Sequence, residues 1–177
     1  MTKQVLDKTF VPYLNSETID KAIGRIANEI TSKHRDTNPL FIAILNGSFM
    51  FAADLFKKLD IPAEICFIKL ASYKGTKSTG QVVTAIGLDI DLFGRDVIII
   101  EDIVDTGKTL SEFLPQLQHQ QPKSLKICAL LHKKEATVHP ITIDYLGFEI
   151  PNLFVVGYGL DYNGFGRNLH EIMQISE

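Results

Sequence analysis

Residues 97–109 read VIIIEDIVDTGKT. Asp105, Thr106, Gly107, Lys108 and Thr109 have the make-up of an anion cradle, because a short turn at the head of a helix leaves backbone N–H groups unpaired and threonine hydroxyls add donors. A small phosphate monoester fits that description. Three carboxylates, Glu101, Asp102 and Asp105, crowd the same turn, and carboxylates repel phosphate. They need another partner. Two adjacent acids at a strand end suit ribose hydroxyls or a hydrated Mg2+, which takes few protein carboxylates and keeps its waters and substrate oxygens. Asp105, inside the cradle, is the candidate for proton transfer. A solvated loop with acids at a helix N-terminus explains the carboxylates alone. It does not explain their arrival together with Thr-Gly-Lys-Thr.

Two common phosphate motifs are excluded. Gly107-Lys108-Thr109 would close a G-x-x-x-x-G-K-[ST] loop only with Gly at position 102, where Asp102 stands. No G-x-G-x-x-G follows a strand-like run.

The elements that must hold this turn can be read from periodicity. Ser16 caps a helix whose apolar positions Ile19, Ala22, Ile23, Ile26, Ala27 and Ile30 recur every three or four residues, and Asn38-Pro39 ends that region. LFIAIL over 40–45 is apolar throughout, as in a strand buried on both faces. Asn46-Gly47-Ser48 then turns into a helix carrying Phe49, Ala52, Ala53, Leu55 and Phe56. A strand fits 64–70, SYKGTKSTG over 72–80 reads as a long mobile loop, and 81–86 as a return strand. The strand over 97–100 leads through the acidic turn into a helix from about 108 to 119, ended before Pro122. Strands are also expected over 125–131, 141–148 and 153–156, before a Gly- and Asn-rich end, GYGLDYNGFGRN. Alternating strands and helices predict an α/β fold, an open and mostly parallel sheet flanked by helices. The loops after Leu45, Ile100, Leu131 and Val156 then share the rim where ligands bind.

The whole chain fits a small-molecule protein. At 177 residues it reads as one domain over 1–177, with 45% hydrophobic and 22% charged residues. No apolar run reaches membrane-spanning length and MTKQVLDKTF lacks a signal core, so a cytoplasmic location and no membrane partner are expected. Net charge is −3 with no basic face, which argues against nucleic acid as a partner. Cys66 and Cys128 lie in apolar segments as reduced thiols, and the five histidines show no ligand spacing. Any metal should be held through oxygens.

VIIIEDIVDTGKT resembles the phosphoribosyl-diphosphate motif of the type I phosphoribosyltransferases. LFIAILNGSFMFAADL resembles the first active-site loop of their hypoxanthine-guanine branch, SYKGTKSTG its mobile catalytic loop, and LLHKK with FVVGYGLDYNGFGR its purine-binding segments. The likeness runs from about residue 40 to the C-terminal ISE. It implies the type I phosphoribosyltransferase fold with a small hood region and a mobile loop. It also implies Mg2+-dependent transfer of 5-phosphoribose from phosphoribosyl diphosphate to a 6-oxopurine, giving a nucleoside monophosphate and pyrophosphate, by a homo-oligomer (dimer or tetramer).

The resemblance assigns roles residue by residue. The 5′-phosphate would sit on Asp105, Thr106, Gly107, Lys108 and Thr109, while Glu101 and Asp102 take the ribose hydroxyls and metal. Asp105 would do the acid–base work near a purine ring nitrogen. Lys133 would donate to the exocyclic oxygen, which favours 6-oxopurines over adenine, whose amino group leaves the ammonium unpaired. Phe154 would stack on the base, Val155 would offer backbone groups to its edge, and Asp161 would lie near the base and a second Mg2+. Pyrophosphate would meet Leu45, Asn46, Gly47, Ser72, Tyr73 and Arg167. The Leu45–Asn46 peptide is expected to be cis. Many relatives carry a basic residue where this chain has Asn46, so pyrophosphate affinity or coupling to a neighbouring subunit is where it should differ. A xanthine-preferring transferase, or a regulator of the same fold that binds nucleotide and contacts RNA or DNA, are the alternative readings.

Overall fold

The computed structural model describes residues 1–72, 82–86 and 88–176. The loop expected over 72–80 lies, from Tyr73 onward, outside the described residues. The chain opens with a hairpin of β1 (Lys3–Val5) and β2 (Lys8–Leu14), followed by helix α1 (Ser16–His34). Next come β3 (Leu40–Leu45), α2 (Phe49–Lys58), β4 (Glu64–Ser72), β5 (Val82–Ile86), β6 (Asp96–Val104), α3 (Lys108–Gln118) and β7 (Ser124–His132). A 3-10 turn, Lys134–Ala136, precedes β8 (Tyr145–Glu149), β9 (Val155–Val156) and β10 (Ile172–Ile175).

The larger sheet runs β5-β4-β3-β6-β7-β8. Every neighbouring pair is parallel except β4 with β5, which return antiparallel as the sequence suggests. Helices cover both faces, which is why β3 and the first half of β6 need no polar side. On one face α1 and α2 bring Ile23, Ile26, Ile30, Phe51 and Leu55 against Phe41, Ala43, Ile98 and Ile100. On the other, α3 sets Leu110, Phe113 and Leu117 against Leu40, Ile42, Val97 and Ile99. Each such fully buried aliphatic contributes on the order of 1.5–3 kcal/mol over leaving it exposed. The chain leaves β3 toward β4 and comes back on its other side as β6. Strand order reverses there, so the carboxyl ends of β3 and β6 border a crevice.

A smaller sheet, β1-β2-β10-β9, forms the hood. The sequence pattern does not announce it. β2 is central in this sheet although it contains Pro12, and the ladder accommodates the missing N–H by shifting register between Ile172 and Met173, where Pro12 pairs. The first helix is capped one residue earlier than Ser16: the Asn15 carboxamide accepts from the Thr18 N–H at 2.8 Å. The strand expected over 141–148 begins only at Tyr145. Asp144 interrupts it, because its carboxylate takes the Ile127 N–H (2.9 Å) and the Lys126 ammonium (2.9 Å) just before pairing starts at Cys128 and Tyr145. The strand expected over 153–156 shortens to β9, leaving Leu153 and Phe154 outside it. No helix of the described residues is long and apolar enough to cross a membrane.

Candidate active site

β6 is longer than its apolar run, and this changes what the acids face. The strand continues to Val104, so Glu101 and Asp102 lie within it and alternate to opposite faces. Glu101 lines the hollow walled by residues 103–110, and its Oε2 is buried without a hydrogen-bond partner. Burial, reinforced by the neighbouring Asp102 charge, raises its carboxyl well above the usual range. Asp102 lies on the other side, under the turn after β3. A Cβ on Gly47 would overlap its carboxylate, so this loop can approach only as glycine. Burial pushes Asp102 up to about 6, against the Ile103 N–H at 2.9 Å and the positive charge of Arg167, while Asp161 adds to the rise.

The cradle follows directly. Gly107 has φ of 77°, in the left-handed region, and serves as the N-cap of α3 without a capping side chain. The N–H groups opening the helix therefore face the hollow with the exposed Thr106 and Thr109 beside them. A strap of backbone backs the turn: the N–H groups of Val138 and His139 both donate to the Thr106 carbonyl, at 3.0 and 2.9 Å. A side chain at Gly107 would run into the His139 carbonyl.

Lys133 follows β7 and is buried, only 8% exposed. Its backbone N–H donates to the Val104 carbonyl at 2.9 Å, and its ammonium donates to Asp105 Oδ2 at 2.9 Å. The proposed proton carrier and the proposed base-reading lysine are thus held against each other. Beneath them Thr137 Oγ1 lies 3.1 Å from the Asp105 carbonyl and 3.1 Å from the Lys133 carbonyl, with His132 Nε2 at 3.0 Å.

The opposite wall joins three segments. The Leu45–Asn46 peptide is cis, as expected, and Asn46 is exposed. Ser48 is buried, its hydroxyl donating to the Ile44 carbonyl at 2.6 Å. The Gly47 carbonyl packs on Gly159, whose own carbonyl accepts from Arg167 at 2.6 Å. Arg167 also pairs with Asp161 at 2.7 Å, and the Gly164 N–H donates to the same carboxylate at 2.6 Å. Tyr158 Oη donates to Asp54 on α2 at 2.5 Å. Phe154 is 44% exposed, with Tyr162 edge-on at 5.8 Å and Phe10 at 6.2 Å, while Val155 is buried in β9. Ser72 ends β4, and Tyr73 lies outside the described residues.

Residues from distant parts of the sequence are therefore brought together around the β3 and β6 ends. Asp161, expected beside a metal, has its carboxylate engaged by Arg167 and Gly164. Among the described residues no three acidic, His or Cys side chains converge as a self-sufficient metal site. Glu101 with its orphaned oxygen, and Asp102, remain hard oxygen donors suited to a cation that completes its shell with water and substrate. Sequence reading missed His132, Thr137, the Val138–His139 strap and Tyr158. The Gly-Tyr-Gly spacing around Tyr158 was the one available hint; the others carry no motif.

Three comparisons bear on this geometry. The family model described as the phosphoribosyl transferase domain matches residues 13–163. The hypoxanthine-guanine phosphoribosyltransferase of Bacillus subtilis (strain 168) is 41% identical over 170 residues, covering 96% of this chain and 93% of the relative. The hypoxanthine-guanine-xanthine phosphoribosyltransferase of Tritrichomonas foetus is 40% identical, covering 92% and 90%. Among solved structures, a hypoxanthine phosphoribosyltransferase from Staphylococcus aureus superposes with a TM-score of 0.89 at 37% identity, covering 94% of this chain and 91% of that one.

Proposed function

The chain belongs to the phosphoribosyltransferase family and has its type I fold, and from that premise we propose how its residues divide the work of the reaction. It is a purine-salvage transferase that makes IMP or GMP and pyrophosphate from hypoxanthine or guanine and 5-phosphoribosyl 1-diphosphate. A ring nitrogen of the base forms the new bond to the sugar carbon, the C–O bond to diphosphate breaks, and its electron pair leaves with pyrophosphate. The nitrogen's proton must go to a base.

The single observation that carries the division of roles is the buried, unpartnered Glu101 Oε2 in the wall of an N–H-lined hollow. A buried carboxylate oxygen without a donor is costly unless a ligand satisfies it. The 5′-phosphate takes the N–H groups of residues 105–109 and the Thr106 and Thr109 hydroxyls. Glu101 takes the sugar hydroxyls beside it, and Mg2+ would be held between Glu101 and Asp102 through those hydroxyls and water, the two acids reaching it from opposite sides of β6. Bound there, Mg2+ supplies neutralisation of the diphosphate leaving group.

Asp105 receives or returns the base's proton, half exposed where a substrate can reach it. Lys133, whose ammonium already gives one hydrogen to Asp105, donates another to the exocyclic oxygen of a 6-oxopurine; an amino group there would face it with a donor in place of an acceptor. Phe154, exposed at the hood, stacks on the base, and Val155 meets its edge. Leu45, Asn46 and Gly47, with Ser72, Tyr73 and Arg167, receive pyrophosphate; Asp161 orients Arg167 and stands near a second Mg2+. The family likeness further supports a homo-oligomer, dimer or tetramer, which light scattering would reveal.

The experiment is pyrophosphate release with hypoxanthine, guanine and xanthine at saturating Mg2+ and phosphoribosyl diphosphate. Turnover with hypoxanthine or guanine is expected. None with either would overturn the reading.

A further inference from the structure

We infer, building on that reading, that Thr137, oriented by His132, is a positioning residue whose single hydroxyl sets the spacing between the proton-transfer group and the base-reading lysine. The geometry matches what a hydroxyl can do. It has one proton and two lone pairs. The proton faces two carbonyls, those of Asp105 and Lys133, each at 3.1 Å from Oγ1. With the proton so directed, Oγ1 is an acceptor toward His132 Nε2 at 3.0 Å, which requires the proton on that ring nitrogen.

These two carbonyls are not arbitrary. They belong to the residues whose side chains meet at 2.9 Å on the substrate side. The same pair is also tied through the Lys133 N–H, which donates to Val104 at 2.9 Å. Thr137 is therefore the only side chain among the described residues bonded to the backbone of both. The turn Lys134–Ala136 closes by its own backbone bonds, Ala136 N–H to Lys133 at 3.0 Å and Thr137 N–H to Lys134 at 3.3 Å. The turn persists without the hydroxyl, so losing the hydroxyl frees the relative tilt of Asp105 and Lys133 rather than unfolding the segment. Reaction geometry is sensitive to such tilts at the sub-ångström scale.

Thr137→Val keeps the shape and removes the hydroxyl, and Thr137→Ser keeps the hydroxyl. For Thr137→Val, kcat/KM for hypoxanthine should fall about tenfold or more. The KM for phosphoribosyl diphosphate should stay within about twofold and the Tm within a few degrees. Thr137→Ser should restore kcat/KM to within about threefold. His132→Phe, which removes the donor to Oγ1, should reproduce part of the Val loss. Parent-like kinetics in Thr137→Val would overturn the inference. So would equal losses in the Val and Ser variants, or a loss shared with phosphoribosyl diphosphate and matched by a lowered Tm. A parent protein inactive with every 6-oxopurine would sink the underlying transferase reading, and this inference with it; an active parent with an indifferent Thr137→Val sinks this inference alone.

Discussion

Asp105 carries three demands at one position. Its backbone opens the anion cradle, its carbonyl is held by Thr137, and its carboxylate, 46% exposed, accepts from Lys133. Under the proposed roles only the carboxylate would move a proton. Replacing it with Asn should leave the first two intact, because the N–H groups and the carbonyl do not change. Asp105→Asn is therefore expected to lose about a hundredfold or more in turnover, the scale of a general acid–base contribution. Its affinity for IMP, measured by calorimetry, should stay close to the parent's. Parent-like rates would remove Asp105 from acid–base work and leave it as a cradle residue. The residue scale also shows why these types were legible in the sequence. Glu101, Asp102 and Asp105 are polar where the pattern demands apolar or neutral residues, and that mismatch is visible without a structure. Thr137 and His132 violate no pattern: a Thr after a turn and a His at a strand end are ordinary, and only their meeting distances single them out.

At the scale of elements, the site depends on backbones that approach more closely than side chains permit. Gly107 makes the point at the cradle, where φ is 77° and the His139 carbonyl occupies the place of a Cβ. Gly107→Ala should cost on the order of 1–3 kcal/mol in urea unfolding and push the strap at 138–139 off the Thr106 carbonyl. The KM for phosphoribosyl diphosphate should then rise by about tenfold or more, since the N–H groups no longer converge; an unchanged KM would show that the cradle tolerates the displacement. Tyr158 works across elements, tying the segment that rests on Gly47 to Asp54 of α2. Burial alone would raise Asp54, but hydrogen bonds from Lys57 and Tyr158 outweigh it and hold the carboxyl low. Tyr158→Phe should lower stability by about 1.5–3 kcal/mol, the usual worth of a hydrogen bond to a charged group, and let the Asp54 carboxyl titrate at higher pH by NMR. An unmoved Asp54 would mean Lys57 suffices. The large sheet and its rim were readable because buried parallel strands are written as unbroken aliphatic runs. The hood was not: β1 has only three residues, β2 is half exposed with no unbroken apolar run, and Pro12 argues against a central strand until the register shift that accommodates it is seen. The false start of the strand at 141–144 has the same origin, because apolar residues there signal packing while Asp144 decides the pairing.

The whole molecule maintains an energetically uphill site, and this appears in its stability against pH. Asp102 keeps its proton in the folded protein up to about pH 6, whereas in the unfolded chain an aspartate releases it near about 3.9. Between those values the folded state holds the extra proton. The contribution of Asp102 is therefore fully present below about pH 3.9 and is lost as pH rises through about 6. Glu101, also raised, acts in the same direction. Asp96 behaves oppositely: burial would raise it, but Ser124 and Lys123 hold it low, so its contribution is lost only in stronger acid and does not mask this window. His34, lowered chiefly by burial, opposes this over part of the window, but its shift is smaller than those of the two raised acids, so ligand-free protein should become less stable in urea as pH increases from about 4.5 to 7. Asp102→Asn keeps an oxygen for the Ile103 N–H but has nothing to ionise. Its curve should flatten in this window, and at pH 8 the ligand-free variant should exceed the parent by on the order of 1–3 kcal/mol. The same variant should lose activity if Asp102 holds the cation as we propose, because that role needs the ionised carboxylate. Mg2+ with phosphoribosyl diphosphate, binding the ionised parent, should reverse its slope so that stability rises with pH, while Asp102→Asn gains little from the same ligands. Parallel pH curves for parent and variant, with and without ligands, would show that burial of these acids is structural and that the site is not held in readiness for a cation.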